Sequence, residues 1–467
     1  MDGLTTPTSA LAALWHHAGL SADALAAVTL TGADPVQPSS FAVGTAAQVS
    51  IAAAALAAAE LWRLRTGRQQ RVGVSIRDAA VEFRSERYLR VDGHPPEELW
   101  DKIAGLYRCG DGRWVRLHTN FPHHRDGVLK LLGCAYDRMA VQRALDAWEA
   151  ETFEAAAAAA GLVATACRSF DEWDAHPQGR AVAALPVLSI DRLGDAPPHP
   201  LPPAARPLAG LRVLDLTRVI AGPVCGRTLA AHGADLLAVT AAHLPQMAPL
   251  VIDCGRGKLT TFIDLGDARG RETLAGLLRE ADVFVQAYRP GALAALGFGP
   301  DDAARLRPGI VYVSLSAYGL DGPWAGRRGF DSLVQNANGM NHAEAEAAGV
   351  AQPKPLPCQA LDHASGYLMA FGALAALARR AAAGGSWHVR ASLAQTGHWI
   401  RSLGRVPHGL RCPDPAYEDV RDRLDETASG FGRLTVVRHA ATMSETPPRW
   451  DRQAVPLGTH PPVWPAR

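Results

Sequence analysis

The chain has 467 residues, enough for two or three domains and a large core. Its 47 Lys and Arg nearly balance its 46 Asp and Glu, and no basic run is interleaved with aromatics, which argues against a nucleic-acid partner. The longest apolar stretches, such as residues 51–59, fall short of a membrane span, the first residues do not read as a signal peptide, and seven scattered cysteines without a C-x-x-C pair predict free thiols in a cytoplasmic protein.

Residues 1–194 read as helices with a short β-rich patch around Arg113–Leu117, closing in a helical stretch that contains the six-alanine run 155–160. Prolines at 197, 198, 200, 202 and 203 cannot continue a helix or a central strand, so residues 195–206 are expected to form an extended linker. From 207 to 405 strand and helix alternate, with strands at Arg212–Leu216, Leu236–Val239, Val283–Gln286 and Ile310–Leu315 and helices from Gly222 and around Arg269–Glu280. Such alternation predicts the α/β class: a Rossmann-like, doubly wound parallel sheet domain, accompanied by a smaller α+β domain. Residues 406–467, rich in Pro and Arg with little periodicity, are expected to be a tail of mostly irregular surface structure.

Residues 361–380 read as a long Ala/Leu-rich helix with Asp362 at its start. Unpaired N–H groups and a partial positive charge at a helix N-terminus favour the anion, so Asp362 is expected to stay ionised near neutral pH and to be available as a nucleophile. The bland alternative is an ordinary N-cap. Residues 57–75 align without gaps to residues 374–392, each position offset by 317, with Gly67 opposite Gly384 and Val72 opposite Val389. The offset carries Asp362 onto Thr45, which has no carboxylate, so the first copy is expected to be structural.

Two other chemistries are disfavoured. The strand–helix–strand opening at 215–239 has the length of a dinucleotide-binding unit, but its turn is not G-x-G-x-x-G, and its second strand ends on Thr240 where a nicotinamide site needs Asp or Glu. His118, His123, His124 and Asp126 match no common zinc spacing, so they read as surface or packing residues and no metal is predicted.

The segments Pro207–Val239, Ala281–Gly291, Leu296–Gly299, Val311–Pro323 and Gly329–Met340, followed by the Asp-x-x-x-Gly of Asp362 and Gly366, occur in a fixed order. This series resembles the family III CoA-transferases, the group that includes formyl-CoA and carnitine CoA-transferases, over about residues 207–405. The run Pro456–Trp464 is similar to their terminal Pro-Leu-Gly-x-His-x-x-x-Trp. Asp111–Val115 and Leu117–Asn120 resemble the small domain that follows the family's catalytic half, so the order here is rearranged.

The resemblance implies Asp362 as the nucleophile that takes coenzyme A from an acyl-CoA thioester and passes it to a carboxylic acid, through an acyl-aspartyl anhydride and an aspartyl-CoA thioester. It places Val219, Ile220 and Ala221 at the pantetheine and thiol end of coenzyme A, Arg256 and Lys258 at the nucleotide end, Ala287 and Tyr288 at the adenine with Arg289 beside them, and Arg328 beside the reacting thioester. Gln335 matches the transferases, and backbone amides near Gly339 and Gly366 would stabilise the oxyanions. Coenzyme A is then a substrate, no cofactor is needed, and a homodimer is implied. Residues 238–240 and 286–287 depart from the family's Lys-x-Glu and Glu-Asn, and Ala295 stands where some relatives carry a basic residue. The alternatives are an α-methylacyl-CoA racemase, whose histidine falls on Phe330, a side chain that carries no proton, and a non-catalytic paralogue or scaffold.

Overall fold

The computed structural model describes residues 3–466. Its first part runs α1 (Pro7–His17), β1 (Val28–Thr31), α2 (Val43–Thr66), β2 (Val72–Ser75), α3 (Ile76–Glu82), α4 (Ser85–Tyr88) and β3 (Arg90–Val91). There follow β4 (Gly105–Arg108), β5 (Trp114–Leu117), α5 (Pro122–Leu132), α6 (Arg138–Leu145), α7 (Ala150–Ala159) and β6 (Ala164–Ala166), a small antiparallel sheet with helices packed on it. Two short helices, α8 (Phe170–Ala175) and α9 (Pro177–Ala183), lead to β7 (Leu188–Gly194).

Beyond the proline-rich segment come β8 (Arg212–Leu216), α10 (Ala221–Ala231), β9 (Asp235–Thr240), α11 (Ala248–Cys254), β10 (Lys258–Phe262), α12 (Ala268–Arg279), β11 (Val283–Gln286), α13 (Pro300–Leu306) and β12 (Val311–Ser316). Then follow α14 (Asp331–Ala337), α15 (Met340–Ala348), α16 (Ala360–Ala383), β13 (Ser386–Ser392) and α17 (Leu393–Ser402), and the chain closes with β14 (Leu424–Ser429), β15 (Gly432–Val437) and β16 (Ala441–Met443).

Seven strands form the main sheet in the order β10-β9-β8-β11-β12-β13-β7, parallel except for β7. β8 and β11 are buried at every position, as parallel strands covered on both faces must be. Because β7 precedes the proline-rich segment yet pairs with β13, the N-terminal region and residues 207–405 share one sheet and one continuous core. Residues 195–206 carry no helix or strand, but they are held in place: Arg65 donates to the carbonyls of Pro202 at 2.7 Å and Pro207 at 2.9 Å.

The internal repeat is structural. α2 and α16 are both 24 residues long and start at Val43 and Ala360, the spacing the alignment requires. Each ends at a glycine with positive φ, Gly67 at 73° and Gly384 at 67°, a backbone that glycine adopts without a Cβ clash. Each leads into a strand with one parallel and one antiparallel neighbour: β2 lies between β1 and β16, β13 between β12 and β7. Although α2 is long and apolar enough to cross a membrane, nearly all of it is buried inside the protein, where it packs along α16.

The tail differs from the irregular surface structure expected. β15 pairs with β3, β16 pairs with β2, and Leu434, Val436, Ala441 and Met443 are buried. Charged and hydroxyl residues on the exposed face of β14 and β15 hide the two-residue period in the composition.

One ionic network joins four parts of the chain. Arg227 on α10 pairs with Asp253 at 2.8 Å and with Glu82 of α3 at 3.8 Å; Ser85 donates to Asp253, Tyr367 of α16 donates to Glu82, and the Ala440 N–H donates to Glu82. All of these side chains are buried, so each charge depends on the others remaining in place.

α10 lies against the other side of α16 at Gly366, where a Cβ would stand 2.5 Å from the Ala221 carbonyl oxygen and 2.7 Å from Val224. The first copy has Val49 at this position. Gly366→Val is expected to cost about 1–3 kcal/mol through overpacking, read as a lower denaturation midpoint; an unchanged midpoint would show that the two helices have room to separate.

Candidate active site

No side chain of α16 caps its own N-terminus. The acceptor comes from α14: Asp331 Oδ2 takes the N–H of Leu361 at 2.8 Å and of Asp362 at 2.9 Å. Gln335, one turn further along α14, donates to Asp331 Oδ1 and accepts the Leu356 N–H at 3.0 Å, which fixes the rotation of the Asp331 carboxylate. The helix-end stabilisation expected for Asp362 therefore goes to Asp331.

Asp362 sits in the first turn, 8% exposed, and its carboxyl has no hydrogen-bond or ion-pair partner among the described residues. Burial, then the neighbouring carboxylates Asp331 and Glu86, raise its pKa well above the ordinary aspartate range. This corrects the expectation of a readily ionised group. Asp331 is pushed up to about 6 by burial against the opposing pull of its hydrogen bonds. Glu86 is engaged with His363 Nε2 at 3.1 Å.

Asp362 faces a cavity of about 470 Å³ at the carboxyl ends of β8 and β11, where the strand order reverses. Val219, Ile220 and Ala221 line it from the β8–α10 turn, Ala287, Tyr288 and Arg289 from the segment after β11, and Arg328 from the loop before α14. Thus eight of the residues singled out from the sequence, Asp362 included, meet in one space. Val219 holds φ at 75°, a strained conformation for a β-branched residue, in the turn that enters α10. α10 has no side-chain N-cap, so Ile220, Ala221 and Gly222 bring an uncapped helix end to the cavity.

The charge of the cavity is uneven. Arg218, Arg289 and Arg328 line it, and none has a carboxylate partner among the described residues. Arg218 donates to the Pro245 carbonyl and lies over the Phe121 ring at 5.4 Å; Arg328 donates to the Gly161 carbonyl at 3.2 Å.

The remaining sequence-derived residues lie elsewhere. Lys258 pairs with Asp215 at 2.9 Å and donates to the Pro223 carbonyl, beside a separate cavity of about 70 Å³. Arg256 is internal: it donates to the Val437 carbonyl at 2.8 Å, stacks over Trp450 at 4.1 Å and stands 3.5 Å from Asp253, so it belongs to the ionic network. Gln335 acts on Asp331. Gly339 starts α15 against Phe170, and Gly366 is the contact point of α10 and α16, so neither presents an amide to the cavity.

Arg218 is not among the residues expected from the sequence, although its place directly after β8 is a usable signal, and the capping role of Asp331 depends on a contact between helices that no local pattern carries. The histidines are expected as surface or packing residues. His118 stacks on Phe330 with ring centres 3.8 Å apart, His124 is buried with both ring nitrogens unpartnered, and His123 and His124 line the large cavity. Burial lowers His118 and His124 to about 3, so both are neutral. Among the described residues no cluster of three His, Cys, Asp or Glu is placed to hold a metal.

Residues 15–199 and 208–405 match the model of CoA-transferase family III. The chain is 37% identical over 215 residues to an acetyl-coenzyme A transferase of Hypoxylon pulicicidum, covering 44% of this chain and 36% of that one. It is 31% identical over 336 residues to an acyl-CoA transferase of Gibberella moniliformis, covering 64% and 58%, and 36% identical over 189 residues to a probable fatty acyl-CoA transferase of Mycobacterium tuberculosis, covering 38% and 48%. It therefore spans less than two thirds of the length of each of these relatives. A crystal structure of the Mycobacterium tuberculosis protein superposes with a TM-score of 0.39 at 33% identity, covering 42% of this chain and 59% of that one.

The raised Asp362 pKa has a definite consequence for stability. Its contribution is full below the unfolded value of ~4 and declines as pH rises from there toward the folded value, because the unfolded chain releases the proton first. Asp362→Asn removes that decline, so its melting temperature is expected to gain on the wild type as pH rises from about 4 to 8. Parallel melting-temperature curves for the two proteins would contradict it.

Proposed function

The chain belongs to CoA-transferase family III, and from that membership and the cavity geometry we propose that it moves coenzyme A from an acyl-CoA thioester to a carboxylic acid, with Asp362 as the covalent nucleophile. The observation that carries this reading is the unpartnered Asp362 carboxyl in a cavity of about 470 Å³ that also presents three arginines without carboxylate partners. The sheet order supports it. Counted along residues 207–405, the strands run third, second, first, fourth, fifth, sixth, the order of Rossmann-like doubly wound sheets, which bind nucleotides where the order reverses.

In this reading Arg218, Arg289 and Arg328 and the uncapped end of α10 meet the phosphates, Ala287 and Tyr288 meet the adenine, and Val219 to Ala221 meet the pantetheine arm. The Asp362 carboxylate attacks the thioester carbonyl and expels coenzyme A as thiolate, leaving a mixed anhydride. The thiolate then attacks the aspartyl carbonyl and releases the donor acid, which leaves coenzyme A on Asp362 as a thioester. The acceptor carboxylate attacks that thioester to form a second anhydride, and the thiolate attacks its acyl carbonyl, giving the new acyl-CoA and free Asp362. Asp362 must be unprotonated to begin. The burial and carboxylates that raise its pKa also make its anion more basic than a solvated aspartate, and so more reactive.

One observation favours a second reading, proton transfer at the carbon next to the thioester: His118 brings an imidazole onto Phe330, the position of the racemase histidine. Lowered to about 3, it is a weak base for that proton, so transfer remains the primary assignment.

Incubation with an acyl-CoA followed by intact-mass measurement is expected to show coenzyme A bound covalently to the wild type and nothing on Asp362→Asn, whose turnover falls to background. An equal adduct on the variant would remove Asp362 from the chemistry. A chiral 2-methylacyl-CoA in heavy water is expected to gain no enzyme-dependent deuterium; rapid exchange would promote the His118 reading.

A further inference from the structure

Asp362 borders two spaces, the cavity of about 470 Å³ and a second chamber of about 60 Å³ that Glu86, His118 and Ser332 also line. The volume of this chamber is about two water molecules' share of liquid.

The groups around the chamber suit water and the removal of a proton from it. Ser332 on α14 is 3% exposed and its Oγ has no partner; His118 is 5% exposed and its Nδ1 has none. The Asp362 carboxyl is equally unmatched. Buried polar atoms of this kind are met by ordered water where the space is polar and large enough to hold it, and the chamber satisfies both conditions. Glu86 on α4 is anchored by one oxygen and keeps the other: Oε2 accepts from His363 Nε2 at 3.1 Å, and Oε1 takes no hydrogen bond among the described residues. Asp331 has no oxygen to spare, because Oδ1 accepts from Gln335 and Oδ2 caps α16.

We propose that the protein is also an acyl-CoA hydrolase: when Asp362 carries coenzyme A as a thioester, water in the small chamber attacks the aspartyl carbonyl with Glu86 as general base. The proposal rests on the coenzyme A reading and gives its last intermediate a second fate. The water oxygen bonds to the aspartyl carbonyl carbon while Glu86 Oε1 takes a proton from it. The carbon–sulfur bond then breaks, coenzyme A leaves as thiolate, and the thiolate takes the proton from Glu86. Asp362 is left as a carboxylic acid that holds one oxygen from water, and it is ready again once its proton is lost. The sum is acyl-CoA and water giving a carboxylate, a proton and coenzyme A.

The test follows the thioester adduct on the full chain, formed from acetyl-CoA, propionyl-CoA or succinyl-CoA and read by intact mass after rapid quenching. In a single turnover without added acid, the adduct is expected to disappear as free thiol is released. In heavy-oxygen water the protein is expected to keep one heavy oxygen, because the donor acid carries off an oxygen of Asp362 and water replaces it. Heavy oxygen found only in the released acid, or an adduct that persists until the matching free acid is added, would overturn the proposal. Glu86→Gln is expected to slow discharge by water, relative to discharge by the matching acid, at least about ten-fold, where a positioned base supplies about 10²–10⁴. Equal slowing of the two would overturn Glu86 as the base; if the variant does not fold, the oxygen label in the wild type decides. Absence of any adduct removes the transfer reading itself, and this proposal with it.

Discussion

A helix of 24 residues ends in N–H groups that need an acceptor, and the way α16 obtains one determines what its first turn is free to do. Asp331 supplies the acceptor from another helix and Gln335 holds Asp331 in place. Asp362 is thereby released from a structural duty that an aspartate near a helix start usually performs. Its carboxyl can turn to the cavity, but it does so beside two other carboxylates and away from water, so the freedom comes with a high cost for ionisation.

The first copy of the repeat shows the same device with a different outcome. Asp34 accepts the N–H groups of Gly44 at 3.2 Å and Thr45 at 2.7 Å, the positions equivalent to Leu361 and Asp362. The Thr45 hydroxyl also donates to Asp34 at 2.8 Å, so the third residue of that helix is turned back into the cap. Val49 in place of Gly366 then closes the surface against which a helix such as α10 would lie. The copy kept the helix, its glycine stop and its strand, and it lacks both the carboxylate and the approach route.

Features set by local pattern were legible in the sequence. The strands of the main sheet follow apolar runs, the helix stops follow glycines, and the repeat follows from a constant spacing. The residues lining the large cavity follow strands at their carboxyl ends, which is where a sheet of this order places its loops. What was not legible depends on pairing across the chain. Arg256 has the charge of a phosphate ligand, yet Asp253, Val437 and Trp450 enclose it. Asp331 looks like one more polar residue until α16 is brought to it. The tail strands required partners, β2 and β3, more than 340 positions away.

The ionic network around Arg227 bears on how the chain reaches this shape. Its members come from residues 82–85, 227–253, 367 and 440: Arg227 and Asp253 pair within residues 207–405, but Glu82 has its full set of partners, Arg227, Tyr367 and the Ala440 N–H, only when the N-terminal region, the sheet and the tail are all assembled. Partial assemblies would bury the Glu82 carboxylate without its partners, which is strongly unfavourable. The order in which the segments occur along the chain therefore matters less than their simultaneous presence: the network acts as a check on completion, admitting the whole and penalising any version with one part missing.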